Sequence, residues 1–137
     1  MPFVLDASIV ACWAFVDEGH PVADLALERI RTDEARVPAL WWFEIRNILI
    51  VNERRKRLTD NDTGEFLRAL ARLRVSVDRS PEEADVHSLA RRHRLSVYDA
   101  SYLELARRDG ISLATLDKEL HAAALAAGAT LLGDDGG

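Results

Sequence analysis

Phe3-Val4-Leu5-Asp6-Ala7-Ser8 is the stretch from which the rest of the chain is read. Three consecutive apolar residues end at an acid, and a helix-compatible run follows. That is the signature of a short strand buried on both faces. Outward from it the same alternation recurs. Ser8 is placed to cap a short helix holding Val10, Ala11, Trp13 and Ala14. A second helix reads over 22–32, with Val22, Leu25, Ala26 and Ile30 on one face. A brief strand at 35–37 stops at Pro38. Residues 40–55 form a long helix, and Asp60 or Asn61 opens another that runs to 73. Residues 75–77 are strand-like. Ser80-Pro81-Glu82-Glu83 combines a capping Ser, a Pro and an acid three places on, so a helix is expected from there to His93. Helix 96–109 ends at Gly110, strand 111–114 follows, and helix 117–127 ends at Gly128. Residues 130–132 are the last expected strand. One domain over 1–133 and a frayed tail at 134–137 complete the division. Strands alternating with helices define an α/β protein with a small parallel sheet, covered on both faces and linked by right-handed crossovers.

The 137 residues carry 18 Lys and Arg against 23 Asp and Glu, a net charge of −5. This lacks the basic footprint of many nucleic-acid binders, so a nucleic acid would need a local cation, bound or built in. The single cysteine, Cys12, has no internal partner, which fits a reducing compartment; a cytoplasmic location is expected. No apolar run approaches the roughly 20 residues of a membrane helix, and no basic segment precedes Phe3, so neither a membrane span nor a secretory leader is expected.

Ligand sites of open α/β sheets lie beyond the carboxyl ends of the strands. Asp6 ends the first strand, Asp117 comes shortly after strand 111–114, and Asp99 sits in the first turn of a helix. Glu44 stands among Trp41, Trp42, Phe43 and Ile45, where a carboxylate is costly unless paired or metal-bound. Each acid also has a plain structural role open to it. Asp6 and Asp117 can cap the helices they precede. Ser96-x-x-Asp99 fits a capping box, and Glu44 is favoured by a helix N-terminus. Four carboxylates in one pocket repel, and a divalent cation removes that penalty. Oxygen-only ligands favour Mg²⁺ or Mn²⁺. Zinc is not expected, because His20, His87, His93 and His121 show no ligand spacing and Cys12 stands alone. Gly-rich phosphate loops and nucleophile elbows are absent. A phosphoaspartate switch fits poorly: Asp6 has no acid beside it, and Lys118 follows Asp117 directly.

Four pieces of the chain together resemble a known family. They are Phe3 to Ser8, Glu44-Ile45-Arg46-Asn47, Tyr98 to Ala106, and Leu113-Ala114-Thr115-Leu116-Asp117 followed by Leu120. In this order and spacing they resemble PIN-domain nucleases, most closely the VapC toxins of toxin–antitoxin pairs. The resemblance implies a three-layer α/β/α sandwich with Asp6, Glu44, Asp99 and Asp117 as metal-binding acids. Ser8, Asn47 and Thr115 match assisting polar positions. It implies an endoribonuclease that uses Mg²⁺ or Mn²⁺ and a metal-activated water to cut single-stranded RNA, leaving 5′-phosphate and 3′-hydroxyl ends. A cognate antitoxin and a homodimer are the implied partners. The alternatives are a non-catalytic PIN-fold interaction module, or a DNA nuclease or phosphatase using the same acids.

Around these residues, Ser8 is expected at least to cap its helix, and Thr115 to fill a turn. The basic runs 54–57 and 91–94 read first as solvated helix ends and second as phosphate contacts. Trp13, Phe15, Val16, Trp41 and Trp42 are expected to divide between core and a groove for an antitoxin helix.

Overall fold

The computed structural model describes residues 1–133, apart from the side chain of Val16. The expected tail at 134–137 lies outside the described residues. Chain order is β1 (Phe3–Leu5), α1 (Ala7–Trp13), a 3-10 turn (Val16–Glu18), α2 (Pro21–Arg29), β2 (Ala35–Pro38), α3 (Leu40–Arg54), α4 (Asp60–Leu70), β3 (Val75–Asp78), α5 (Glu83–His93), α6 (Val97–Asp109), β4 (Ser112–Ala114) and α7 (Lys118–Ala126). The strands form one parallel sheet in the order β3-β2-β1-β4. Phe3 pairs with Ala35 on one side and Ser112 on the other, which places β1 centrally and explains why all three of its residues are buried.

The chain steps from β1 to β2 to β3 in one direction, then jumps back across β1 to β4. With right-handed crossovers this puts α1–α4 on one face and α5–α6 on the other, the expected sandwich. It also creates a topological switch between β1 and β4. Sheets of this kind place their ligand sites at the carboxyl ends of the strands at such a point, because the connections leave in opposite directions. Val4, Val37, Leu113 and Leu131 lie in the core, as the alternation predicts. Helix α6 is the central helix: Ala100 and Tyr102 through Ala106 are buried, and it packs on α5, α7 and three strands. Ser96 caps its start by accepting the Asp99 N–H at 3.0 Å, and Gly110 ends it at φ 63°.

Several boundaries differ from expectation for local reasons. Ser8 does not cap α1. Asp6 occupies the cap position, and Ser8 lies inside the first turn with its hydroxyl committed elsewhere. Helix α5 starts at Glu83 with Glu82 at the cap position and no side-chain cap, so Ser80 does not cap it; the Ser80 N–H instead donates to the Asp78 carboxylate. Helix α4 does open at Asp60, one of the two expected starts, and Thr59 before it supplies the cap through a reciprocal box with Asp62. Helix α2 ends at Arg29 and α4 at Leu70, short of 32 and 73. Residues 130–132 do not form a strand. One parallel bridge joins Leu131 to Leu113 before the chain turns at Gly133, φ 98°.

The proposed aromatic groove is largely filled from within. Trp13 donates its indole N–H to the Ala23 carbonyl at 2.8 Å. Phe15 is covered by the Arg57 guanidinium at 4.1 Å, and Trp41 is in the core. Val16's side chain falls outside the described residues, and Trp42 is exposed with Arg46 stacked on it at 4.0 Å. The expected wide aromatic surface is therefore reduced to Trp42 and its neighbour Phe43. Among the described residues no helix is long and apolar enough to cross a membrane.

Candidate active site

Asp6 follows β1 directly and sits at the switch. Its backbone N–H donates to the Ala114 carbonyl at 3.0 Å, which locks the end of β1 to the end of β4. The side chain is buried, and one of its oxygens, Oδ2, receives two hydroxyls: Ser8 at 2.7 Å and Thr115 at 2.6 Å. Each hydroxyl has a single proton, and both protons go to Asp6. Their lone pairs are then filled by backbone donors, Leu116 N–H on Ser8 at 2.9 Å and Asp117 N–H on Thr115 at 3.0 Å. The network is closed, so the carboxylate is held rigid. Ser8 therefore holds Asp6 instead of capping a helix, and Thr115 does more than fill a turn.

Asp117 caps α7: its Oδ1 accepts the Glu119 and Leu120 N–H groups at 2.9 and 3.0 Å. Its other oxygen stays outside those bonds. The plain structural reading of this residue is thus realised without using up the carboxylate. Asp99 is half-buried in the first turn of α6. Glu44 comes from the second turn of α3 and accepts the Tyr102 hydroxyl of α6 at 2.5 Å. Tyr102 has no assigned role in the sequence reading. Its spacing of three from Asp99 on one helix puts the two on one face, which is the signal that marks it. Asn47 is exposed, and among the described residues it has no hydrogen bond to this network.

The carboxyls feel one another. Burial is the largest influence on Asp6 and raises its pKa; the Thr115 and Ser8 hydroxyls oppose that, and the Asp117 charge adds to it. Glu44 is raised by burial first, then by the charges of Asp6 and Asp99, against the pull of the Tyr102 hydroxyl. Asp99 is raised by burial, then by Asp117, Asp6 and Glu119. Burial, with the charges of Asp6 and Glu44, pushes the Tyr102 phenol far up, so it remains a donor at all ordinary pH. The four acids thus belong to one electrostatic neighbourhood. Among the described residues, however, no three His, Cys, Asp or Glu side chains stand grouped so as to hold a metal ion as placed. The donor chemistry nonetheless suits a hard divalent ion: carboxylate oxygens only, several of them short of a compensating positive charge.

The PIN domain pattern matches residues 3–126 of this sequence. The chain belongs to the PIN domain family. Among PIN proteins, Ribonuclease VapC3 of Pyrobaculum aerophilum is 31% identical over 123 residues, covering 88% of this chain and 92% of the relative. That likeness makes the chain a VapC-type PIN protein. The PIN fold extends to two crystal structures. PAE2754 of Pyrobaculum aerophilum has a TM-score of 0.70 at 24% identity, covering 90% of this chain and 84% of its own. Mycobacterium tuberculosis VapC20, described as a sarcin-ricin loop cleaving toxin, has a TM-score of 0.61 at 16% identity, covering 88% and 94%. At those identities the two structures speak to fold alone.

The raised carboxyls of this PIN site predict a pH-dependent response to metal. A carboxyl whose folded pKa exceeds its unfolded value adds stability below the unfolded value. It loses that contribution as pH rises through the folded one. The metal-free protein should therefore lose ground as pH climbs from about 4 toward neutrality, while bound cation cancels the loss. Thermal melts in EDTA and in Mg²⁺ should show a gap that widens with pH. A gap independent of pH would contradict the shared acidic site.

Proposed function

We propose that this protein is a Mg²⁺- or Mn²⁺-dependent endoribonuclease, the toxin of a toxin–antitoxin pair, acting on single-stranded regions of RNA. The observation that carries this reading is Asp6: a buried carboxylate at the sheet's switch point, immobilised by Ser8 and Thr115, whose pKa the Asp117 charge raises and whose own charge raises those of Glu44 and Asp99. The ribonuclease name of the 31% identical relative supports the reaction class. The VapC designation of the same relative supports the toxin role.

Asp6, Glu44, Asp99 and Asp117 would hold the ion. When bound, it supplies a Lewis acid that polarises a phosphoryl oxygen and lowers the pKa of water. The chain's own groups do the positioning. Ser8 and Thr115 hold Asp6 in one rotamer. Tyr102 orients Glu44 and, as a permanent donor, favours its ionised form against the burial that raises its pKa. The Asp117 cap bonds anchor one oxygen and leave the other for the ion. An uncontrolled ribonuclease harms its own cell, so a tight inhibitor protein belongs to this reading. A cation donated by that inhibitor would be drawn to the acidic cleft.

The test is a panel of single-stranded RNA, duplex RNA, single-stranded DNA and a phosphomonoester, each with Mg²⁺, Mn²⁺ or EDTA. Cleavage of single-stranded RNA alone, abolished by EDTA, is the expected result. Preferential DNA cleavage or phosphate release would replace the ribonuclease reading. No hydrolysis of any substrate would favour a binding module. Co-expression with the neighbouring small reading frame should relieve growth arrest; a chain harmless on its own would remove the toxin role and leave the nuclease.

A further inference from the structure

The candidate centre is made of carboxylates, and the chain around it carries a net charge of −5, so phosphate contacts alone give a polyanion little purchase. What borders the acids instead is aromatic. Among the described residues three aromatic side chains are exposed: Phe43 at 69%, Tyr98 at 64% and Trp42 at 50%. Phe43 directly precedes Glu44, Trp42 comes one residue earlier, and Tyr98 directly precedes Asp99. Every exposed ring thus lies within two positions of a site acid. The other rings are drawn inward: Phe3, Phe15, Trp41 and Tyr102 are buried, and Trp13 and Phe66 pack against the core.

The two helices that carry these rings meet at the site. Glu44 of α3 accepts the Tyr102 hydroxyl of α6 at 2.5 Å, and Glu44 feels the Asp99 charge. Tyr98 comes four residues before Tyr102, so it stands on the same face of α6, one turn nearer the helix start and beside Asp99. Phe43 and Tyr98 therefore border one centre, one ring from each helix. The rings on α3 are braced. Trp42 and Phe43 stand edge to face, with centroids 5.0 Å apart and planes at 71°. Arg46 stacks on Trp42 at 4.0 Å and donates Nη1–H to the Trp42 carbonyl at 3.1 Å. Each exposed ring leaves in water an apolar surface that packing elsewhere in the fold would have removed.

Resting on the ribonuclease reading, we propose that Phe43 and Tyr98 are stacking platforms for unpaired bases of the RNA strand, one on each helix that supplies an acid. Every base has a π-face, so stacking adds affinity without choosing a sequence. It does choose a state. In a duplex each base is already paired and stacked on its neighbours, so only an unpaired strand can lay a base on either ring. The attraction is not coulombic, which suits a chain of negative net charge, and Arg46 beside Trp42 adds a local cation on the α3 side. A second copy of the chain, or a helix of another protein, would also cover apolar rings. RNA is favoured because the exposed rings sit beside the acids on both helices and a cation accompanies them.

Both side chains are exposed, so Phe43→Ala and Tyr98→Ala leave the fold intact. Tyr98→Phe keeps the ring, and Leu125→Ala truncates another exposed apolar residue, near the end of α7 away from Asp117. Each is combined with Asp6→Asn to suppress cleavage. Binding is measured in Mg²⁺ across a salt series with a short fluorescent single-stranded RNA and with a strand of the same length that is abasic throughout. Phe43→Ala and Tyr98→Ala should each bind the RNA about tenfold more weakly than the Asp6→Asn reference, the size of one lost stack. On the abasic strand they should match the reference, and the salt slope should not change, because no phosphate contact is lost. Tyr98→Phe and Leu125→Ala should match the reference on both strands. With Asp6 restored, the double alanine variant should cleave with a smaller preference for single-stranded over duplex RNA. Unchanged RNA affinity in either alanine variant, or an equal loss on the abasic strand, overturns the stacking rim while leaving the ribonuclease intact. So does an effect confined to oligomeric state or to co-purification with the neighbouring small gene product, which would make this face a protein interface. A parent chain that neither binds nor cuts RNA overturns both.

Discussion

Asp6→Asn is expected to lower the rate of RNA cleavage by about 10³-fold or more while leaving the protein folded. Asn keeps the size of Asp, and its carbonyl oxygen can still accept the Ser8 and Thr115 hydroxyls that bond Oδ2. What disappears is the negative charge at the one acid that is both buried and rigid. Substitution of groups that merely orient a ligand costs about 10–100-fold, so loss of a ligand's charge should exceed that. The same substitution removes a charge that burial and Asp117 disfavour. In EDTA near neutral pH, Asp6→Asn should then melt at or above the parent temperature, and the stabilisation by Mg²⁺ should shrink. These two readouts separate chemistry from folding. Parental cleavage rates in Asp6→Asn would remove Asp6 from the reaction. A drop in activity with a large fall in metal-free melting temperature would make it a structural residue.

Arg108→Met should produce the largest stability loss outside the site. Glu104 is buried on α6, and its carboxylate is bonded twice by Arg108: Nε to Oε2 at 2.7 Å and Nη2 to Oε1 at 3.0 Å. The same guanidinium reaches β3, with Nη1 and Nη2 on the two Asp78 oxygens at 3.1 and 2.7 Å. The two carboxylates raise the Arg108 pKa, and Arg108 in turn holds Asp78 below the usual carboxylate range. Removing the cation leaves Glu104 unpaired in the interior and frees the edge strand from the central helix. Breaking a buried pair from one side costs about 3–5 kcal/mol. Partial exposure of Arg108 and Asp78 places this case at the lower end, about 3 kcal/mol, or on the order of 10 °C in Tm. The double variant Glu104→Leu, Arg108→Met should recover most of the loss, because the cost lies in the stranded charge rather than in the missing bridge. Melting of the single variant within about 2 °C of the parent would show the pair to be ornamental.

The alternation of short apolar runs with helical stretches was sufficient to read the α/β class, the parallel sheet and nearly every element, because burial on both faces leaves a local trace in the chain. Phe3-Val4-Leu5 is the clearest case: three apolar residues in a row make sense only in a covered central strand. The four acids were also visible, from their places at strand ends and helix starts and from the cost of a carboxylate such as Glu44 among aromatic residues. The features that sequence left open share one property: they depend on residues far apart in the chain. Ser8 had a local use as a cap. Only the switch between β1 and β4 brings it within 2.9 Å of the Leu116 N–H and commits its proton to Asp6. Thr115 looked like a turn filler until 109 positions of sequence separation closed onto the same oxygen. Tyr102 became Glu44's partner across 58 positions. Trp13, Phe15 and Trp41 proved to be mostly core once their covering helices were in place. Composition and periodicity record what each residue requires of its surroundings, burial or water, helix or strand. Which distant group meets that requirement is decided by tertiary packing, since hydrogen bonds and charges act over a few ångströms in space, whatever the distance along the chain.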